Sequence, residues 1–193
     1  MKPHNIRPRR LCLLFVVMLW LVGCGGPLVV SEYGSPYSPL GPPYFLDPSL
    51  APHSGTDFGG NFGDPAIAVA DGYVVRLIDK PETCGNGLVI FHRQFDRYTI
   101  YCHLQKVVAR AAQDVKRGEL IGTLGDSGNA SGCRRIRPCP IVHLELSASP
   151  SGHLVATPGV NVDPLVVSVG CFDPRKAYPT DRLVLTYPVR CKD

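Results

Sequence analysis

The sequence predicts a mainly β fold, a single antiparallel sandwich or barrel-like domain stapled by disulfide bonds. Residues 66–78, 87–93 and 98–104 are runs of β-branched and aromatic residues interrupted by glycine and aspartate, which is typical of strands. Only residues 104–112, LQKVVARAA, have a helical composition, and this segment is short. The short strands and frequent turns favour a sandwich or barrel.

The N-terminus has the features of a signal peptide over residues 1–23. Residues 1–10 are basic, and residues 11–23 are an apolar run too short to span a bilayer. The small residues before Cys24 resemble the lipobox of bacterial lipoproteins, so we expect Cys24 to be lipidated. The alternative is an ordinary signal peptide or anchor helix with an incidental cysteine. The predicted location is the cell envelope, on the periplasmic face of a bacterial membrane, held through the N-terminal lipid.

The charge balance argues against nucleic-acid binding. The formal net charge is +4, but residues 1–23 carry four of the 20 basic residues and none of the 16 acidic residues. The rest of the chain is therefore neutral and has no general basic field, and we expect no nucleic-acid partner.

Residues 24–52 are predicted to be the lipidated cysteine followed by a proline-rich tether. This stretch contains seven prolines and little periodicity, as in a semi-rigid linker. Its later part could instead pack on the domain as an irregular arm. The main domain is predicted over residues 53–165, and residues 166–193 form a C-terminal extension.

Six cysteines follow Cys24, an even number that indicates disulfide bonds in an exported chain. Six cysteines allow fifteen pairings, and we favour pairing between neighbours in the sequence. A zinc–cysteine cluster is the rival, but the sequence contains no CxxC pair. The favoured pairs are Cys84–Cys102, Cys133–Cys139 and Cys171–Cys191.

Two segments carry candidate metal ligands. In HSGTD, His53 and Asp57 flank a glycine-bearing bend, and imidazole nitrogen and carboxylate oxygen both bind zinc. In CPIVHLELS, the alternation of a strand places Ile141, His143 and Glu145 on one face. By itself, His143 is either a satisfied interior histidine or one ligand of a metal site.

Two further histidines lie in the predicted strands. In YTIYCHL, strict alternation places His103 on one face with Thr99 and Tyr101, and this is the more polar face. His92 stands beside a charged turn and is expected to be a surface residue.

The ordered set of motifs resembles the lysostaphin/LytM-type zinc endopeptidases, which cut cell-wall peptides. HSGTDF resembles the family's His-x-Gly-x-Asp-Phe, AVADG its Ala-x-x-Asp-Gly, and YCHL its Tyr-x-His-Leu. VKRGELIG resembles its Lys-x-Gly-x-x-Ile-Gly, and VNVDPL is loosely similar to the segment after its last catalytic strand. The resemblance covers residues 53 to about 165.

The resemblance implies one zinc ion bound by His53, Asp57 and His143. Three protein ligands leave the fourth position open, as a catalytic zinc requires. His103 would then be a catalytic histidine that handles a proton or stabilises an oxyanion. The implied activity is hydrolysis of peptide cross-links in peptidoglycan, with other cell-wall enzymes as possible partners.

One residue departs from the family pattern. Where the family has Pro-His-Leu-His-Phe-Glu, this chain has Ile141 in place of the first histidine. Isoleucine neither accepts a proton nor donates a hydrogen bond, and His153 is the only histidine nearby in sequence that might substitute. The alternative function is therefore a degenerate, weakly active or inactive protein that binds zinc or peptidoglycan and regulates cell-wall hydrolases. A lipoyl- or biotinyl-carrier module is disfavoured, because no lysine lies at an apolar-flanked hairpin tip.

Overall fold

The computed structural model describes residues 26–35, 52–135, 140–151 and 159–191, with the backbone alone for residues 132–135. Within these ranges the chain forms ten β-strands and three short 3-10 helices, so the predicted mainly β fold is confirmed. The strands are β1 (Leu28–Ser31), β2 (Thr56–Gly59), β3 (Pro65–Ile67), β4 (Gly72–Lys80), β5 (Gly85–His92), β6 (Arg97–Val107), β7 (Asp114–Val115), β8 (Leu120–Leu124), β9 (Ile141–Ser147) and β10 (Asn161–Val162). The 3-10 helices are Arg93–Phe95, Gly128–Arg135 and Pro164–Val167.

The strands form one antiparallel sheet that does not close into a barrel. Its main path runs β1-β2-β9-β6-β5-β4-β7, while β10 pairs with β9, and β8 pairs with β3 and β6. In the described part of the chain, β1 and β7 are the two ends of this path. The strands β2, β9 and β6 lie side by side, and they carry the candidate site residues.

The buried strand β9 separates the core from the site. All seven of its residues are buried. Val142, Leu144 and Leu146 alternate into the main apolar cluster, where they join Phe58 and Tyr101. Because neighbouring residues of a strand point to opposite faces, the remaining β9 side chains, which include His143, share the other face.

The predicted helix over residues 104–112 is wrong. Strand β6 continues through Val107, which pairs with Gly122 of β8. Ala112 has a left-handed φ of 63° in the following turn. Tertiary pairing with β8 therefore overrides the weak helical preference of this segment.

Part of the segment expected to be a tether belongs to the sheet. Strand β1 pairs with β2, and Val29 lies opposite Phe58. Its backbone thus covers what would otherwise be an open edge of β2. Residues 1–25 and 36–51 are outside the described ranges, so the signal peptide, the lipidation of Cys24 and the tether stay predictions.

Two disulfide bonds hold loops to the sheet. Cys84 is bonded to Cys102 beside β5 and β6, and Cys171 is bonded to Cys191 in the C-terminal extension. These are two of the three pairs expected from the sequence. The third, Cys133–Cys139, falls outside the described side chains. In the ranges that the model describes, no helix is both long and apolar enough to cross a membrane.

Candidate metal centre

The HSGTD segment enters β2 through a turn pressed against β9. A Cβ atom on Gly55 would lie 2.2 Å from the Leu144 carbonyl oxygen and 2.9 Å from the His143 ring, so only glycine fits without displacement. Asp57 lies directly opposite His143 in the register of β2 and β9. The turn also brings the His53 ring next to His143, although the two residues are 90 positions apart in the chain.

Three candidate ligand atoms converge at this place. His143 Nδ1 lies 3.0 Å from His53 Nε2 and 2.9 Å from Asp57 Oδ1. The remaining pair, His53 Nε2 and Asp57 Oδ1, is 3.4 Å apart. A tetrahedral zinc with ligands at about 2.0–2.1 Å would place its ligand atoms about 3.3–3.4 Å apart. The three atoms therefore fit one zinc ion after small movements, and their two-nitrogen, one-oxygen chemistry suits zinc.

The tautomer of His53 is fixed by the β1 region. His53 Nδ1 lies 3.0 Å from the Glu32 carbonyl oxygen and 3.3 Å from Ser31 Oγ. A carbonyl only accepts, so Nδ1 carries the proton and Nε2 keeps its lone pair for a metal. No pattern in the sequence indicates this contact, because LVVS is embedded in a proline-rich stretch.

The orientation of His143 is fixed from the other side of its ring. His143 Nε2 lies 3.4 Å from Glu145 Oε1, which also accepts a hydrogen bond from Ser54 Oγ. The second oxygen, Glu145 Oε2, accepts from Asn161 Nδ2 at 3.4 Å. Nε2 thus carries one proton, and Nδ1 is the nitrogen that can bind an ion once the proton it shares with Asp57 is displaced. A carboxylate behind a ligating histidine is a common support of zinc sites.

The electrostatics of the buried cluster favour a cation. Burial alone would raise the pKa of Asp57, but the charge and hydrogen bonds of His53 and His143 outweigh it and hold that pKa well below its usual range. Burial alone would lower the pKa of His143, whereas its bonds to Asp57 and Glu145 raise it to about 10. The proton between His143 and Asp57 occupies the atoms that would bind a metal, so a cation can replace it.

His103 reaches the site through a β-bulge, which corrects the predicted orientation. Tyr101 and Leu104 both enter the main core, although strict alternation would place them on opposite faces. The pairing with β5 shows one extra residue in β6 at this point, and His103 has a left-handed φ of 65°. Its ring centroid lies 5.8 Å from that of His143. Thr99 and Tyr101, which were expected on a polar face, are buried, and so are Ile100 and Cys102 of the other face.

His103 is neutral and has a defined tautomer. Burial, reinforced by the charge of His143, lowers its pKa to about 4. Its Nδ1 lies 2.9 Å from the Ser127 carbonyl oxygen, so Nδ1 donates and Nε2 keeps its lone pair as an acceptor. A neutral imidazole beside a metal site can accept a proton from water.

Ile141 lies on the His143 face of β9 but in an apolar setting. It is 2 % exposed and packs with Ala130 and Val30. The place of the family's other catalytic histidine is thus filled by a small apolar cluster.

His92 is not the surface residue that was expected. It is buried, with Nδ1 2.7 Å from the Asp71 carbonyl oxygen and Nε2 2.9 Å from Thr99 Oγ1. Both ring nitrogens have protein partners, which indicates a structural role.

Replacing Glu145 by glutamine is expected to weaken zinc binding by roughly 10- to 100-fold, as removal of such supporting carboxylates does in other zinc sites. Glutamine offers one acceptor oxygen where Glu145 receives three donors, so His143 or a neighbour loses its partner. Competition with a zinc-binding dye measures the affinity. The matched control is Glu119→Gln, because Glu119 accepts hydrogen bonds from Gln113 and Lys116 outside the site. Equal affinities in the two variants would contradict the supporting role of Glu145.

The fold and site together define an antiparallel β protein with a buried His-Asp-His cluster suited to a metal ion. Residues 51–156, more than half of the chain, match the model of peptidase family M23. The protein belongs to this family.

Relatives with different names share the matched region. Peptidoglycan DD-endopeptidase ShyA of Vibrio cholerae is 38% identical over 97 residues, which is 50% of this chain and 20% of ShyA. Murein hydrolase activator NlpD of Escherichia coli is 35% identical over 79 residues, 41% of this chain and 21% of NlpD. The chain therefore aligns with about a fifth of the length of each.

Solved structures agree on the fold. The catalytic domain of lysostaphin from Staphylococcus simulans superposes with a TM-score of 0.55 at 24% identity, covering 72% of this chain and 90% of that domain. At this identity the likeness concerns the fold. It agrees with the expected LytM-type architecture.

Proposed function

We propose that the protein is a zinc-dependent endopeptidase that hydrolyses peptide cross-links of bacterial peptidoglycan. The observation that carries the proposal is the convergence of His53, Asp57 and His143 on one point, with a neutral His103 beside them. The ShyA likeness supports the substrate class. The protein would act in the cell envelope, anchored through lipidated Cys24.

His53, Asp57 and His143 would hold the ion, and the rest of the chain prepares these ligands. A zinc ion held there would polarise the scissile carbonyl and make water a better nucleophile. The Glu32 carbonyl and the Glu145 carboxylate each hold a proton on the opposite ring nitrogen, so that His53 Nε2 and, once its shared proton is displaced, His143 Nδ1 face the ion. Because the ligand side chains are already oriented, they need little rearrangement when the substrate binds.

His103 would carry the proton transfer. Its Nε2 is free because Nδ1 is engaged by Ser127, and its ring is neutral at pH 7. It can take a proton from the attacking water, and the resulting imidazolium can stabilise the developing oxyanion or protonate the leaving amine.

A second candidate function is a zinc- or peptidoglycan-binding regulator of cell-wall hydrolases with little activity of its own. Ile141 in its apolar cluster favours it, because a second imidazole is absent there. A relative of the same domain is named as a murein hydrolase activator, which also supports this candidate.

Release of muropeptides from purified sacculi distinguishes the two functions. We expect zinc-dependent release by the purified protein, loss of release with a chelator, and recovery when zinc is restored. His143→Ala is the inactive comparison. Zinc binding without any release above the His143→Ala level would reject the endopeptidase and leave the regulator.

Replacing Ile141 by histidine is expected to lower the free energy of unfolding by about 1–3 kcal/mol, because a polar ring would be buried without a partner. Ala130 and Val30, which pack on Ile141, offer it no hydrogen bond through their side chains. On the endopeptidase proposal, the release rate rises less than about tenfold, since His103 already serves as the base. Ile141→Gln is the control for polarity without proton transfer. Activity created from none, or raised about 100-fold by histidine alone, would favour the regulator.

A further inference from the structure

We propose that the Cys84–Cys102 disulfide is a positioning element of the site, which holds the bulge that places His103 beside the metal ligands. The inference rests on the proposed endopeptidase function for its kinetic consequence. Cys102 directly precedes His103, and its sulfur is bonded to Cys84 of the turn before β5.

The same turn holds the backbone of His103. An extra residue in a bulge leaves a backbone N–H without its ladder partner. Here the His103 N–H donates to the Cys84 carbonyl oxygen at 2.8 Å. Cys84 thus restrains the bulge twice, through its sulfur on Cys102 and through its carbonyl on His103.

The restraint also reaches the His103 ring. The Cys84 turn interlocks with the turn that carries Ser127: Asn86 N donates to Ser127 Oγ at 2.9 Å, and Asn129 N donates to the Thr83 carbonyl at 2.9 Å. The Ser127 carbonyl then accepts from His103 Nδ1. Backbone and ring of His103 are therefore both fixed by elements that contact the Cys84 turn.

The contact between the two turns is close enough to require glycine. A Cβ atom on Gly85 would lie 2.3 Å from Ser127 Oγ, and one on Gly128 would lie 2.2 Å from the Thr83 carbonyl oxygen. Both glycines have left-handed φ angles, 65° and 69°. Movement of the Cys84 turn would therefore displace the Ser127 turn with it.

The left-handed backbone of His103 explains why a covalent restraint is useful. A non-glycine residue with positive φ is strained and persists only where its surroundings impose it. Without the disulfide, β6 is free to relax towards regular alternation, which would turn the His103 ring away from His143. The ligands His53, Asp57 and His143 lie on other segments. Cys102 pairs with His143 through the backbone of β6 and β9, a contact that does not need the disulfide, so we expect the ligands to keep their geometry.

The test compares two disulfides of similar loop length. Cys84→Ala/Cys102→Ala removes the proposed positioning element, and Cys171→Ala/Cys191→Ala removes the tail disulfide. Their sequence separations are 18 and 20, so chain entropy predicts nearly equal losses of stability. Activity on sacculi is measured well below both unfolding temperatures, together with zinc affinity.

We expect the Cys84/Cys102 variant to lose about tenfold or more of its release rate, within the range for a displaced acid–base group, while its zinc affinity stays within about threefold of wild type. The Cys171/Cys191 variant keeps both. A fall in rate of equal size in the two variants, or none in the first, would overturn the inference.

Amide hydrogen exchange of His103 gives a readout independent of activity. Its N–H is expected to exchange at least tenfold faster in the Cys84/Cys102 variant, and unchanged in the tail variant. Ser127→Ala, which removes only the bond from Asn86, keeps the disulfide and folds, and it should show a smaller acceleration. If His103 exchange is unchanged in the Cys84/Cys102 and Ser127→Ala variants, the positioning role is wrong. If the wild-type protein is inactive but the exchange rates follow the predicted pattern, only the proposed peptidase activity is rejected.

Discussion

Asp57→Asn is expected to lower the zinc affinity by more than the roughly 10- to 100-fold that loss of an outer supporting residue costs. Asparagine retains the shape of the side chain but removes the negative charge between two imidazoles. Asp57 Oδ1 lies 2.9 Å from His143 Nδ1 and 3.4 Å from His53 Nε2, so it is the anionic centre of the cluster. Isothermal titration with zinc measures the change, and the release of muropeptides should vanish with it.

The matched control is Asp71→Asn. The pKa of Asp71 is also lowered, although burial alone would raise it, because the Arg117 backbone and the Lys116 side chain bond to its carboxylate. It is largely exposed and lies outside the cluster. Zinc affinity should therefore be unchanged. If Asp57→Asn binds zinc as tightly as Asp71→Asn, the assigned ligand set is wrong.

His103→Asn is expected to reduce the rate of muropeptide release by about 10²- to 10⁴-fold, the usual contribution of a general acid–base group, with zinc still bound. Asparagine tolerates the left-handed backbone that His103 adopts, so the bulge is retained while the imidazole is lost. The effect should fall on kcat, since the group acts in proton transfer. Measurements of rate, zinc content and unfolding temperature on the same preparation separate chemistry from folding.

Gln105→Ala is the control for a neighbouring change in β6, because Gln105 is exposed and accepts a hydrogen bond from Asn86 Nδ2 through its backbone carbonyl. It should retain the wild-type rate. A variant at position 103 that keeps full activity would show that another group transfers the proton, and His153 would be the next residue to replace.

The resemblance to the LytM-type endopeptidases implies the candidate ligand set, and regular local geometry brings its three residues together. His53 and Asp57 are four positions apart across a turn, and strand alternation sets the face of His143. The register that places Asp57 opposite His143 then closes the site. None of these steps requires a deviation from regular strand geometry.

His103 and His92 could not be placed in the same way. Alternation misassigned His103 because a bulge and a left-handed residue interrupt β6, and neither has a sequence signature apart from Gly87 on the partner strand. The charged residues after His92 predict a surface position, yet Thr99 and the Asp71 carbonyl satisfy its ring inside the protein.

The supporting contacts come from segments distant in the chain. The carbonyl of Glu32, which fixes His53, belongs to a proline-rich region that composition assigns to a tether. Asn161 reaches Glu145 from β10. Periodicity describes one segment at a time, so it does not identify the groups that orient the candidate ligands.

X-ray absorption at the zinc edge of the zinc-loaded protein measures which atoms bind the ion. We expect one zinc per chain, with only nitrogen and oxygen neighbours at about 2.0–2.2 Å and an imidazole signal that Asp57→Asn abolishes or alters. A sulfur neighbour at about 2.3 Å would move the ion to the cysteines and contradict the centre formed by His53, Asp57 and His143.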